Sequence, residues 1–402
     1  MEVSGGGIHA LCEDALAEIL VRLPSESVLR CRAVCRSWRC VAADPSFLAA
    51  HAARRPREMI VVCMEHGMTR SAAHLYLDLE PAAGRRRFYL SPVRPLAEDG
   101  TSTVFCLRAT LDGLVVLQES RRGLYIICNP ITEQWTNLPV LPRCSTTYAC
   151  GFYFHTLSGE YRLMCHGVED EEEEEGGDTT RSNYHYVLSA GSTLPRRLSR
   201  APSSEAPSTK PAYGIPVSYR EILHWFSEHP QGTETGKMLA FDTVSETFRL
   251  MSGPPGPERP DLEWMRDLLV LDGELSVATK LDLTLDIWVL QDYGAAERWT
   301  LRHRVRLPPP RDFGLIGDLP MIYRALPVER NAILIACTSA RMGTLYDLKE
   351  NRVCRLIDFG GRPTFVVFSE SLVRHAFFDL PPFPDITPPK FSEPDGESEE
   401  FA

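Results

Sequence analysis

The stretch LCEDALAEILVRLP, residues 11–24, decides the fold of the first part of this 402-residue chain. Four of its apolar side chains are spaced i, i+3, i+4 and i+7, which places them on one face of an α-helix: Leu16, Ile19, Leu20 and Leu23. Pro24 ends that helix, because a proline inside a helix loses a hydrogen bond and clashes with the preceding turn. The chain therefore begins with a short amphipathic helix.

Two further short helices are predicted after Pro24. Ser25 is placed to cap the second helix, which carries Val28 and Leu29. The third contains Val34, Cys35 and Trp38, and Asp44-Pro45 closes the unit. A unit of roughly 40 residues buries little apolar surface by itself and usually needs a metal, disulfides or a partner. No Cys or His residues are spaced as metal ligands here. A surface that binds a partner is therefore the simpler explanation of apolar side chains that so small a unit cannot bury.

Composition excludes several functional classes. The net charge is −11, but residues 169–175 are seven consecutive acids, and without them it is −11 + 7 = −4. There is no extended basic region, which argues against nucleic-acid binding. No signal peptide or run of roughly 20 apolar residues is evident, so we expect no membrane association. The 12 cysteines are scattered, as in a reduced protein, which predicts a cytoplasmic or nuclear location.

From Met59 onward the pattern is that of β-strands. In Leu281–Val289 apolar residues alternate with more polar ones, the period of a strand with one buried face. A strand–turn–strand arrangement recurs about every 50 residues, which predicts a β-propeller. The copies begin near residues 77, 127, 186, 240, 288 and 345. The inner strands of the blades are predicted between these hairpins, at 113–117, 161–165, 222–226, 275–278 and 332–337. An irregular pair of β-sandwiches is the alternative.

The first 50 residues resemble the F-box motif. The resemblance rests on residues 11–24, Val28-Leu-Arg30, Ala33-Val-Cys-Arg-Ser-Trp38 and Asp44-Pro-Ser-Phe47, with Cys12 where the family usually has proline. It implies docking on a Skp-type adaptor and, through it, on a cullin scaffold. The residues it implies for adaptor binding are Leu11, Leu16, Ile19, Leu20, Leu23, Pro24, Leu29, Val34, Cys35 and Trp38.

The remainder resembles the F-box-associated domain of large plant F-box families. The matching stretches are Asp112–Leu117, Asn129–Trp135, Gly159–Leu163, Ile222–Trp225, Phe241–Thr243, Asp286–Leu290 and Ser371–His375. In that family the C-terminal domain recruits the protein to be ubiquitinated. The resemblance thus implies a non-catalytic substrate-recognition subunit of a Skp–cullin–F-box ubiquitin ligase with an unknown protein target. The alternatives are an F-box protein acting without a cullin, a carbohydrate-binding propeller module and a propeller hydrolase.

The predicted organisation is an α+β multidomain chain, in which a small three-helix F-box precedes a large all-β domain, a degenerate kelch-like β-propeller. The predicted segments are a disordered N-terminus (1–7), the F-box (8–50), a linker (51–58), the β-domain (59–380) and a disordered acidic tail (381–402). Within the β-domain we expect a disordered insert at 168–183 and a Ser/Pro-rich loop at 201–211.

No catalytic, metal or cofactor site is predicted. Cys165 and His166 are adjacent, and neighbours in a strand point to opposite faces, so they do not form a nucleophile–base pair. His224 is expected to be packed or hydrogen-bonded. Asp282 and Asp286 are assigned to the surface.

Overall fold

The protein is described from a computed structural model, which covers a large part of the chain. The described residues are 12–65, 68–70, 89–91, 105–119, 123–141, 144–171, 180–198, 215–226, 237–255, 266–281, 283–294, 297–307, 323–329, 331–337, 342–359, 362–382 and 390–392. No helix in these ranges is both long and apolar enough to cross a membrane.

Between residues 12 and 65, four helices form the N-terminal domain, one more than the sequence predicted. They are α1 (Glu13–Leu20), α2 (Ser25–Cys31), α3 (Arg36–Val41) and α4 (Pro45–Ala53). Asp44 begins α4 rather than closing the domain, since its Oδ1 accepts from Ser46 N at 2.9 Å and Phe47 N at 3.1 Å. The prediction that Ser25 caps α2 was wrong: Pro24 holds the cap position, and Ser25 is the first helical residue. The linker predicted at 51–58 is shorter, because α4 continues to Ala53 and the first strand starts at Glu58.

Five four-stranded antiparallel sheets form most of the β-domain, and each is one blade with strands in sequence order. Blade 1 is β4 (Phe105–Leu111), β5 (Leu114–Glu119), β6 (Tyr125–Asn129) and β7 (Gln134–Asn137). Blade 2 is β8 (Cys144–His155), β9 (Glu160–Glu171), β10 (Thr180–Ser189) and β11 (Arg196–Arg197). Blade 3 is β12 (Val217–Tyr219), β13 (Ile222–Phe226), β14 (Lys237–Asp242) and β15 (Thr247–Ser252). Blade 4 is β16 (Arg266–Leu271), β17 (Glu274–Leu281), β18 (Thr284–Leu290) and β19 (Trp299–Arg306). Blade 5 is β20 (Tyr323–Glu329), β21 (Ala332–Cys337), β22 (Met342–Asp347) and β23 (Arg352–Asp358).

A three-stranded sheet built from both ends of the β-domain closes the ring. It consists of β1 (Glu58–Glu65), β2 (Met68–Arg70) and β24 (Arg362–Phe368). β24 pairs antiparallel with β1, with Glu58 opposite Phe368. A separate two-stranded pair joins β3 (Tyr89–Ser91) to β25 (Lys390–Ser392). The tail predicted to be disordered throughout therefore contains one strand.

Each gap between neighbouring sheets is filled by its own cluster of buried apolar side chains. Six clusters occupy the six gaps, including those on both sides of the closing sheet. Ile60 and Phe368 of the closing sheet, for example, pack with Val115 and Ile126 of blade 1. The propeller is thus a closed ring held together by burial between its blades.

The blade repeat has a local cause in its turns. Between the third and fourth strands, an Asn or Asp side chain accepts two backbone N–H bonds, and the residue four positions later has positive φ: Asn129 and Glu133, Asp242 and Glu246, Asp347 and Asn351. Asp112-Gly113 and Asp272-Gly273 have positive φ at both residues, as two-residue hairpin turns require. In a four-stranded meander the first and third turns lie at the same end of the sheet. Both kinds of turn therefore lie on one rim of the propeller, here called the turn rim.

Several sequence predictions of strands need correction. The segments predicted between the hairpins are the second strands of the blades, and the innermost positions belong to β4, β8, β12, β16 and β20. Leu281–Val289 is not one strand, because the chain reverses between Leu281 and Thr284, which pair with each other. Strand β9 continues to Glu171 and β10 begins at Thr180, so residues 168–171 and 180–183 of the predicted insert belong to strands. The hairpin predicted near residues 77–88 and the loop at 201–211 lie outside the described residues.

Candidate adaptor-docking surface

The N-terminal domain has its own apolar core, which holds the four helices together. Leu16 and Leu20 of α1 pack against Val28 of α2, Val41 of α3 and Leu48 of α4. The guanidinium of Arg32, which follows α2, donates to the carbonyl of Ala42 at 2.9 and 3.2 Å. The helices therefore form one compact unit whose interior and surface can be separated residue by residue.

Two residues that the sequence reasoning missed fix α4 to the first turn of the domain. His51 Nε2 lies 2.9 Å from the carbonyl oxygen of Leu23, and Arg55 donates to the same oxygen at 2.9 Å and to that of Val21 at 3.2 Å. His51 is fully buried, and burial lowers its pKa. Because a carbonyl oxygen can only accept, His51 Nε2 is the donor to Leu23. The carbonyl groups of Val21 and Leu23, in the turn that follows α1, thereby gain hydrogen-bond partners.

Burial divides the residues that the F-box resemblance implied. Leu16 and Leu20 are only 3% and 0% exposed, so both belong to the helical core, and their role as adaptor contacts stays a prediction. Ile19 and Val34 are 47% and 55% exposed, and Pro24 is also exposed. The partly buried residues are Leu23, Leu29, Cys35 and Trp38. Leu11 lies outside the described residues. The exposed apolar side chains Ile19 and Val34, together with Pro24, are here called the docking surface.

The helical domain is seated on the turn rim through the segment that follows β24. Leu372 is fully buried within the helical core, and Ile131 of blade 1 packs there as well. Asn129 Nδ2 donates to the carbonyl of Ser371 at 2.9 Å. Gly113 has φ +82°, and a Cβ there would collide with Ser371. These contacts give the docking surface a fixed position relative to the propeller.

Replacing Asn129 with aspartate is expected to loosen this attachment. The substitution keeps the Oδ1 that accepts from Ile131 N and Thr132 N, but it puts a carboxylate oxygen against the Ser371 carbonyl. Losing a buried hydrogen bond costs about 1–3 kcal/mol, so amides of α1–α4 should exchange roughly tenfold faster in hydrogen-exchange measurements. Asp347→Asn, the opposite swap at the matching turn of blade 5, is the control. Equal exchange in both variants would contradict this attachment.

The candidate catalytic side chains are buried and uncharged. Burial raises the pKa of the Cys165 thiol well above its ordinary value and lowers that of His166 to about 4. His224 is fully buried, its ring nitrogens lie 3.2 Å from Val217 O and 2.8 Å from Tyr293 Oη, and its pKa is lowered to about 4. Within the described ranges, no three His, Cys, Asp or Glu residues are grouped to hold a metal.

The assignment of both aspartates to the surface fails for Asp286. This carboxylate is 8% exposed and binds the Arg304 guanidinium through both oxygens, at 2.6 and 2.8 Å. Asp282 lies outside the described residues. The pair spans β18 and β19 and stabilises the edge of blade 4.

Lowering the pH from 7 to 5.5 is expected to destabilise the fold by about 1 kcal/mol for each of three buried histidines. Burial lowers the pKa of His166 and His224 to about 4 and of His185 to about 3, from an ordinary 6.5. The unfolded chain therefore takes up protons first, and stability falls as the pH drops through 6.5. Urea unfolding at each pH measures the free energy of unfolding. The variant His166→Gln is expected to reduce the dependence of that free energy on pH. Unchanged stability at pH 5.5 would contradict it.

A small helical domain seated on a closed β-propeller defines the two-domain architecture of this chain. Residues 8–49 match the F-box domain, and residues 95–367 match the F-box associated beta propeller domain. The chain therefore belongs to the family of F-box proteins with an F-box-associated β-propeller domain.

Several F-box proteins of Arabidopsis thaliana are similar to this chain over most of their length. F-box protein At3g07870 is 26% identical over 411 residues, which cover 94% of each chain. F-box protein CPR1 is 24% identical over 85% of this chain and 83% of its own. Putative F-box/kelch-repeat protein At1g15680 is 27% identical over 74% of this chain and 72% of its own. The F-box domain generally binds Skp1-type adaptors, and proteins of this family are typically non-catalytic adaptors.

Proposed function

We propose that this chain is the substrate-recognition subunit of a Skp–cullin–F-box ubiquitin ligase. The observation that carries the proposal is the docking surface: Ile19 and Val34 stay about half exposed, whereas the core of the same helical domain, including Leu20 and Val28, is buried. Burying the exposed half of such a side chain stabilises a complex by roughly 0.8–1.5 kcal/mol. The helical domain binds a Skp-type adaptor, the adaptor binds a cullin, and the propeller holds a target protein. Its contribution to ubiquitin transfer is proximity.

We also propose that the protein works in a reducing compartment, the cytoplasm or the nucleus. Eleven cysteines in the described part of the chain are free thiols, and four of them are buried: Cys128, Cys150, Cys165 and Cys337. Buried thiols of this kind act as small apolar side chains. A fluorescent fusion imaged in plant cells tests this location, and accumulation in a secretory compartment would contradict it.

Reconstitution with purified partners tests the proposed assembly. The full chain is mixed with a Skp-type adaptor and a cullin, and the complex is measured by size-exclusion chromatography with light scattering. We expect one complex that contains one copy of each protein. Binding of the adaptor with exclusion of the cullin would indicate an F-box protein that acts without a cullin. Failure of the folded chain to bind the adaptor would reject the proposed function.

A further inference from the structure

A cavity of about 650 Å³ lies on the axis of the ring, within the range of roughly 300–1,000 Å³ that is usual for ligand sites. All six innermost strands contribute to its lining, which includes Ala109, Phe152, Val217, Leu271, Ala325 and Val366. Much of this wall is apolar. The charged side chains of the lining therefore decide which ligands the cavity favours.

The charge of the lining is predominantly positive. Its arginines are Arg57, Arg108 and Arg324, whereas its one carboxylate within the described ranges is Asp272. Arg324 is already neutralised, because its Nε lies 2.9 Å from Oδ2 of Asp267. Arg57 and Arg108 are exposed, and neither has a carboxylate within salt-bridge distance among the described residues. Two guanidinium groups are thus available to an anion.

Arg108 is held in place for such a role. It lies at a bulge of β4, where the register with β5 shifts between Leu107 and Ala109. Its Nε donates to Oε1 of Gln118 at 2.8 Å, and the Gln118 amide nitrogen donates in turn to the Thr147 carbonyl at 3.3 Å. The side chain is therefore oriented through its Nε, while its terminal N–H groups remain free. Gln118, which is itself buried, is the positioning residue.

The cavity reaches the rim that carries the helical domain. Its lining includes Asp272 and Gly273, which form the turn between β16 and β17. Arg57 directly precedes β1 and lies only four residues beyond the end of α4. A ligand that enters from the turn rim would therefore meet Arg57 beside the helical domain.

We propose that this cavity binds an anionic side chain, aspartate, glutamate or a phosphorylated residue, on a short segment of the target protein. This inference rests on the proposed function and names the chemistry of its target. The guanidinium groups of Arg57 and Arg108 bind the carboxylate or phosphate through charge-assisted hydrogen bonds, which are about twice as strong as neutral ones. The apolar wall receives the neighbouring side chains of the segment.

Pools of labelled nonapeptides test the proposal. The central residue of each pool is fixed as Asp, Glu, phosphoserine, Gln or Lys, and the other positions are random. We expect the full-length wild-type chain to bind the Asp and Glu pools or the phosphoserine pool at least tenfold more than the Gln and Lys pools. Which anionic pool is preferred separates a constitutively acidic segment from one that must be phosphorylated.

Charge-reversal variants connect the binding to the cavity. Arg57→Glu with Arg108→Glu should reduce binding of the anionic pools at least tenfold. Arg306→Glu with Arg352→Glu, the same charge change on the outermost strands of blades 4 and 5, should leave binding intact. Gln118→Leu should weaken binding less than Arg108→Glu. Equal binding of all pools, or equal loss in the cavity and control variants, would overturn the proposal.

Adaptor binding, measured on the same proteins, separates this inference from the proposed function. The cavity variants should bind the Skp-type adaptor as the wild type does. A wild-type chain that binds the adaptor but shows no preference for the anionic pools would reject the cavity ligand alone. An intact anion preference in a chain that binds no adaptor would reject the ligase role and leave the cavity as a peptide site of another assembly.

Discussion

Replacing both Ile19 and Val34 with glutamate is expected to weaken binding of the Skp-type adaptor at least about 100-fold. Both side chains are about half exposed, so the substitutions leave the helical core intact. In the complex, each glutamate would forfeit the burial of the exposed half of an apolar side chain, roughly 0.8–1.5 kcal/mol, and add at least about 1 kcal/mol for desolvating a carboxylate. A loss of 1.4 kcal/mol is tenfold in affinity, so two substitutions together exceed 100-fold. Isothermal titration calorimetry measures the effect.

A matched control tests whether the loss of adaptor binding is specific to the docking surface. Leu157 and Leu194 of blade 2 are 77% and 74% exposed, and Leu157→Glu with Leu194→Glu adds the same charge elsewhere. That variant should bind the adaptor as the wild type does, and circular dichroism should find both variants folded. If the Ile19/Val34 variant bound normally, the docking surface would have to lie elsewhere on the helices. Substituting Leu16 or Leu20 would not answer the question, because both are core residues.

Trp225→Ala is expected to lower the free energy of unfolding by about 3–5 kcal/mol, the usual cost of removing a large buried aromatic side chain. Trp225 is 1% exposed and packs between blades 2 and 3 with Cys150, Leu239 and Phe241. Its Nε1 donates to the Cys150 carbonyl at 2.7 Å, so the substitution also leaves a buried acceptor without its donor.

Trp299→Ala is the matched control for this prediction. Trp299 Nε1 also donates to a backbone carbonyl, that of Ser252 at 2.9 Å, but its side chain is only partly buried. Trp299→Ala should lower the free energy of unfolding by less than half as much as Trp225→Ala does. Urea unfolding monitored by circular dichroism gives both values. Equal costs would mean that burial between blades does not determine the stability of the ring.

The sequence predicted local features well, because they depend on neighbouring residues. The apolar stripe of α1 identified Leu16 and Leu20 as partners on one helix face. The repeated hairpins at 127, 240 and 345 were confirmed because their turn chemistry is written in a few consecutive residues: an Asn or Asp that accepts two N–H bonds, then a residue with positive φ. The division of the chain into a helical and a β part followed from the helical spacing of apolar residues in α1 and from the recurring hairpins.

Features that depend on distant contacts could not be predicted in the same way. The pairing of Glu58 with Phe368 and the entry of Leu372 into the helical core join residues about 300 positions apart. Alternation alone could not reveal the reversal between Leu281 and Thr284, since both strands continue the same pattern. Arg57 and Arg108 carried no motif, and only the ring brings them into one cavity. Asp44 could have been recognised as a helix cap, since proline at the next position favours a helix start.

The most direct test of the central claim is a comparison of ubiquitinated proteins in plant cells that express either the wild-type chain or the Ile19→Glu, Val34→Glu variant. Mass spectrometry of ubiquitin remnants and of proteins bound to each chain provides the measurement. The propeller of the variant is intact, so we predict that it still binds its target, while the target loses ubiquitin and accumulates. If no bound protein changed in ubiquitination or abundance between the two chains, the role as a substrate-recognition subunit would be contradicted.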